Sequence, residues 1–194
     1  MRGALVVTAA IGLTCVLGPC AALAQSCLNN DNPNLVRNGG FESGSGVHIP
    51  DWTVEWSHSV DKYVYLDQSN PHTGAQDLKM GSISAPNDIV QRVNGTTNGQ
   101  VYTICLWLFS SPNPTAGVTT FEVAWNNVTE LALTNSAPFG YQYLAINVVA
   151  QGGGQDYLRF RERNKQGFYY LDDVAVQECS GCSLDAVAKS VEDK

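Results

Sequence analysis

The chain has 194 residues, with 18 acidic against 11 basic side chains and a formal net charge of −7. That balance excludes a nucleic-acid partner held through phosphate contacts. Only 15% of the residues are charged, while 18 Gly, 8 Pro, 8 Tyr, 6 Phe and 4 Trp indicate β-structure with many turns and exclude a disordered acidic chain.

In chain order, Arg2 is the one charge ahead of a run from Ala4 to Leu17 that only Thr8 and Thr14 interrupt with polar side chains. Gly18-Pro19 and the small-x-small triplet Ala22-Leu23-Ala24 follow. This is the pattern of a secretory signal peptide, residues 1–24. The run is shorter than the roughly 20 apolar residues of a membrane span and is broken by proline. A secreted, extracellular protein with no membrane partner is expected. Cleavage leaves Cys27, Cys105, Cys179 and Cys182, an even count that in an oxidising compartment implies two disulfides. Cys179-Ser-Gly-Cys182 has the spacing of half a zinc site, but His48, His58 and His72 are far away in sequence.

Short alternating runs fill the chain from Asn34 to Glu178. Asp61–Leu66 sets Tyr63 and Tyr65 against Val64 and Leu66. Val101–Phe109 sets Tyr102, Ile104, Leu106 and Leu108 on one face and Thr103, Cys105 and Trp107 on the other. Phe121–Trp125 and Val128–Leu133 flank Asn126-Asn127, a pair that tolerates the positive φ of a two-residue hairpin. Tyr141–Val149, Tyr157–Glu162 and Phe168–Gln177 continue the row at about ten-residue spacing, which suits a sandwich or barrel. The tail places Leu184, Val187, Ala188 and Val191 on one helical face after Ser183. One domain over residues 25–182 is predicted, with a tail over 183–194.

Sugar rings stack their C–H faces on aromatics and exchange hydrogen bonds with polar side chains. Trp56, Tyr63, Tyr65 and Trp107, which alternate away from the core or lie in polar sequence, are the candidates for carbohydrate binding. Arg159, Arg161 and Arg163 share one strand face. Arg159 and Arg161 are candidates to clamp glycan carboxylates, or else they neutralise neighbouring acids and guard an edge strand. The sequons at Asn94 and Asn127 are candidate glycosylation sites on exposed turns.

Two segments at opposite ends carry a family resemblance: Asn34-Leu-Val-Arg-Asn-Gly-Gly-Phe-Glu42 with Pro50-Asp51-Trp52, and Gly167-Phe-Tyr-Tyr-Leu-Asp-Asp-Val-Ala-Val176. Between them stand Thr73-Gly74-Ala75, Ile89-Val90-Gln91 and Trp125-Asn126. Over residues 34–177 the chain resembles the galactose-binding-like jelly-roll carbohydrate-binding modules of the cellulose- and xylan-binding type. It is also similar to plant cell-wall proteins built from paired domains of this kind. The resemblance implies an all-β, two-sheet antiparallel jelly-roll sandwich whose first and last strands are close, and it assigns Trp52 and Trp125 to structure, at positions that close the sandwich. It also implies a structural calcium with Glu42 and Asp172 as side-chain ligands and carbonyls such as that of Gly40 completing the shell, a donor set that suits a hard cation. Period two puts Asp172 on the side of Val174 and Val176, facing the core; the alternative is a water-exposed turn at Asp172-Asp173. With the termini close, Cys27–Cys182 and Cys105–Cys179 are the expected bridges, and Cys27–Cys179 with Cys105–Cys182 is the rival.

The implied function is that of a secreted, non-catalytic binder of a cell-wall or extracellular polysaccharide. A structural matrix protein and a small glycan hydrolase are the alternatives. No Gly-x-Ser-x-Gly or His-Glu-x-x-His motif supports catalysis.

Overall fold

The computed structural model describes residues 32–56, 63–82, 85–111, 118–164 and 167–179. The signal segment, Cys27, Cys182 and the expected helical tail lie outside them. Among the described residues are ten strands: β1 (Thr53–Glu55), β2 (Tyr63–Asp67), β3 (Asp77–Gly81), β4 (Asn87–Asn94), β5 (Val101–Ser110), β6 (Thr119–Trp125), β7 (Val128–Thr134), β8 (Phe139–Val149), β9 (Gln155–Asn164) and β10 (Tyr169–Glu178). They form two antiparallel five-stranded sheets, ordered β1-β4-β9-β6-β7 and β2-β3-β10-β5-β8. This is the jelly-roll sandwich that the resemblance implied, one of the two architectures the alternating runs suited.

Each sheet turns one face inward because side chains alternate along a strand. Ile104, Leu106 and Leu108 of β5 meet Leu158 and Phe160 of β9, Phe121 and Val123 of β6, and Ile89 of β4, all fully buried. Trp52 and Phe41 close the core against Phe160, with ring centroids 5.6 and 5.9 Å apart in the two contacts. Trp52 and Trp125 are both buried, and their indole N–H groups donate to the carbonyls of Asn38 and Val149, each at 3.1 Å. Both are structural, as the resemblance implied. The β6–β7 turn carries φ of 51° at Asn126 and 63° at Asn127, the left-handed pair of the predicted hairpin.

The segment before β1 runs beside β10. Leu35 N–H donates to Val176 O at 2.9 Å, Val174 N–H donates to Gly39 O at 2.9 Å, and the Asn34 side chain bridges both partners on β10. The start and end of the sandwich are therefore neighbours, as the resemblance implied.

Two expectations are corrected here. On β10, Asp172 opposes Trp107 while Ala175 opposes Cys105, so three steps on β10 match two on β5. The extra residue is a bulge at Asp173, whose φ is 50°. It reverses the phase: Leu171 and Val174 both face the core, and Asp172 faces outward with Trp107 rather than inward with Val174. The second correction concerns the cysteines. Cys105 opposes Ala175, whereas Cys179 N–H bonds to Val101 O. Four residues of extended strand separate the two levels by about 13 Å, beyond the reach of a disulfide. A Cys105–Cys179 bridge is excluded by register.

Candidate functional site

The outward face of the β2-β3-β10-β5-β8 sheet is aromatic. In register across four strands stand Tyr65 (β2), Lys79 (β3), Tyr170 (β10) and Phe109 (β5). Tyr141 of β8 extends the row, its ring 5.6 Å from that of Phe109. Phe109 meets Tyr170 edge-on at 5.2 Å. Tyr65, Phe109 and Tyr141 are all partly exposed. Lys79 lies within the row, its Nζ 4.5 Å from the centroid of Phe168, 5.3 Å from Tyr170 and 5.5 Å from Tyr65. Contacts of that geometry attract an ammonium to the ring faces. Its carboxylate partner, Asp67, is 3.8 Å away. Tyr63 precedes this row by two residues on the same face, opposite Gly81.

A second row runs alongside: Asp67 opposite Asp77, then Asp172, Trp107 and Tyr143. The segment joining β2 to β3, residues 68–76, folds over it. His72 stacks on Trp107 with centroids 4.0 Å apart and planes 19° from parallel, and meets Tyr141 edge-on at 5.0 Å. Its Nδ1 is 2.7 Å from Asp173 Oδ2. The amides of His72 and Thr73 donate to Asp172 Oδ2 at 2.9 and 3.1 Å, and the Thr73 hydroxyl donates to Asp173 Oδ1 at 2.6 Å. Tyr141 Oη touches both Asn70 O and Asp77 Oδ2. Asp77 and Asp172 are fully buried. Burial pushes both carboxyls up to about 6; the hydrogen bond from Tyr141 opposes the rise at Asp77, and the backbone amides oppose it at Asp172.

Glu42 reaches the other end of the same segment. The Ala75 amide donates to its Oε1 and Oε2 at 3.0 and 3.1 Å, and the Gln76 amide donates to Oε1 at 3.3 Å. Gly74 sits at φ +65°, and a Cβ there would fall 2.1 Å from Glu42 Oε1 and displace that carboxylate. Glu42 and Asp172 thus grip one loop through its successive amides. Among the described residues no group of three or more His, Cys, Asp or Glu side chains is placed to hold a metal ion. Any calcium at Glu42 and Asp172 would draw the rest of its oxygen shell from carbonyls.

The other sequence candidates lie elsewhere. Trp56 is half-buried and packs against the core, lining an open cleft of about 410 Å³ with Val47, His48 and Val54. Arg159 and Arg161 occupy the outward face of the opposite sheet, where Asp88 and Glu55 already engage them. Asp88 accepts Arg161 Nε and an Nη at 2.8 Å each and also binds Arg159, which donates to Glu55 at 2.9 Å. Asn94 and Asn127 are exposed. Sequence reading missed Phe109, Tyr141, Tyr143, Tyr170, Lys79 and His72. The first two tyrosines and Phe109 follow from extending the outward parity of Trp107 and of the β8 run. Tyr170, Lys79 and His72 depend on strand neighbours and a loop path that no local pattern encodes.

No protein-family model matches the chain, and no curated protein is detectably similar to it in sequence. Its fold does match solved structures. A carbohydrate-binding module, TmCBM61, in complex with β-1,4-galactotriose is 17% identical, with 75% of this chain and 99% of that one covered at a TM-score of 0.53. The CBM22-1 xylan-binding domain of Xyn10C from Paenibacillus barcinonensis is 15% identical, covering 78% and 97% at 0.52. The enzymatically active domain of tailspike protein 4 from bacteriophage CBA120 is 13% identical, covering 75% of this chain but 21% of that one, at 0.54. At these identities the likeness establishes the fold, the jelly roll of carbohydrate-binding modules.

Proposed function

We propose that the protein is a secreted, non-catalytic carbohydrate-binding protein that holds a polysaccharide of a cell wall or extracellular matrix. The observation that carries this reading is the row Tyr65–Lys79–Tyr170–Phe109–Tyr141 on one sheet face. Five adjacent strands span about 19 Å, which suits an oligosaccharide rather than a single sugar. Ring faces take the C–H surfaces of pyranoses, while Lys79 and the tyrosine hydroxyls take their hydroxyls. The solved modules of the same fold whose ligands are named, galactotriose and xylan, support a glycan partner.

A neutral glycan is favoured over an acidic one. Lys79 is engaged with Asp67 and three rings, Asp67 and Asp173 flank the face, and Arg159 and Arg161 of the other sheet are spent on Asp88 and Glu55. The hydrolase alternative has one observation in its favour, two carboxyls raised to about 6 on adjacent strands. Both are fully buried beneath the 68–76 segment, where no glycosidic bond reaches them, and the binder is the better reading.

Immobilised xylan, galactan and cellulose test it. Tyr65→Ala and Phe109→Ala should each weaken retention on the polysaccharide that the wild type binds by about tenfold, whereas Arg161→Ala should leave it unchanged. Retention indifferent to both aromatic variants would remove the platform. We infer further that a calcium ion held through Glu42 and Asp172 stabilises the fold, in keeping with the one loop that both carboxylates grip.

A further inference from the structure

Trp107 has the side chain best suited to stack on a sugar, yet one of its faces is taken. The imidazole of His72 lies parallel to it at 4.0 Å, the arrangement a ligand ring would adopt, and covers the β5 position where the second row meets β8. The same ring is fixed from two further directions. Tyr141 meets it edge-on at 5.0 Å, and Asp173 holds its Nδ1 at 2.7 Å. The backbone on which it rides is fastened independently of its side chain, through the amides of His72 and Thr73 to Asp172 and the Thr73 hydroxyl to Asp173. Among the described residues Trp107 has one other ring contact, the tilted ring of Tyr143, 5.4 Å away.

We propose that His72 is a specificity-determining residue that occupies a sugar subsite on Trp107 and so limits the length of glycan the face accepts. This rests on the glycan-binding reading of the same face. In the native protein a neutral oligosaccharide is confined to the row from Tyr65 to Tyr141. Vacating the imidazole position adds a stacking subsite beyond Tyr141, over Trp107 and beside Tyr143. A ligand that extends past the first row then gains one ring contact, and a shorter ligand gains nothing. Trp107 itself contributes little to binding by the native chain, and its contribution emerges only when His72 is replaced.

The test compares wild type, His72→Ala and His72→Asn, the last of which keeps a side-chain donor for Asp173 without an aromatic ring. Calorimetric titrations use neutral β-1,4-xylo-, gluco- and galacto-oligosaccharides from trimer to hexamer. Both variants should favour the hexamer over the trimer by about three- to tenfold more than the wild type does, the range a single ring stack supplies. Adding Trp107→Ala to either variant should cancel the gain. Acrylamide should quench one more indole in the variants than in the wild type. A hexamer-to-trimer ratio unchanged in both variants, in a wild type that binds, overturns the role of His72 alone. Absence of binding by the wild type and both variants overturns the glycan reading, and this inference with it.

Discussion

Glu162 stands on the inward face of β9 between Phe160 and Asn164, fully buried, and the backbone amide of Asn164 is the partner that favours its charged form. Burial, and then the nearby charge of Asp88, push its carboxyl well above the ordinary 4.5. The folded state therefore keeps it neutral over a pH range in which the unfolded chain ionises it. Stability from this group is fully present below pH 4.5 and is lost as pH rises towards the raised value. The melting temperature of the wild type should fall over that window, and Glu162→Gln should flatten the dependence; an identical pH profile for the variant would show that Glu162 is ionised in the fold. Asp88 illustrates the opposite use of a buried acid. It is 5% exposed and neutralised by two guanidiniums. The arginine stripe of β9 was visible in sequence, but its partner was not, because Asp88 lies on β4 and reaches Arg161 only through the pairing of the two strands.

At the scale of elements, period two located the long strands β5, β6, β7, β8, β9 and β10 within a few residues. β3 and β4 escaped it because buried polar residues (Asp77, Asn87, Asp88 and Gln91) interrupt their apolar runs. The bulge at Asp173 was equally hidden. A single extra residue changes which face Asp172 occupies, and nothing in the sequence around it announces the shift. The strand-like segment before β1 depends on close approach to β10. A Cβ on Gly39 would fall 2.0 Å from Val174 O, so Gly39→Ala must push the first segment off β10. Urea denaturation should register a loss of about 1–3 kcal/mol, with the loss of hydrogen-exchange protection concentrated at Leu35 and Val174. A fully stable Gly39→Ala protein would mean that this contact is not made in solution.

The sandwich is closed by attachments between its first segment and its last strand. If calcium binds at Glu42 and Asp172, it adds to that closure, and a ligand held only by the folded state at a hundredfold excess over its Kd stabilises by about 2.7 kcal/mol. Chelator should lower the melting temperature of the wild type and leave Glu42→Ala unaffected; equal melts with and without chelator in the wild type would refute the ion. The cysteines belong to the same scale. Asn32 exchanges hydrogen bonds with Gln177 and Glu178, which immediately precede Cys179. Non-reducing peptide mapping should therefore find Cys27–Cys179 with Cys105–Cys182, whereas a Cys105–Cys179 peptide would contradict the β5–β10 register. By itself the sequence determined the β class and the outward-facing Tyr63, Tyr65 and Trp107, because alternation along a strand is a local property that burial enforces residue by residue. Only the tertiary structure decided which strands are neighbours. It therefore decided that Tyr65, Lys79, Tyr170 and Phe109 form one row, that Arg159 and Arg161 face away from it, and that His72 covers Trp107. Those juxtapositions arise from strand order and from the path of the 68–76 segment, which are set by how the two sheets bury their common core.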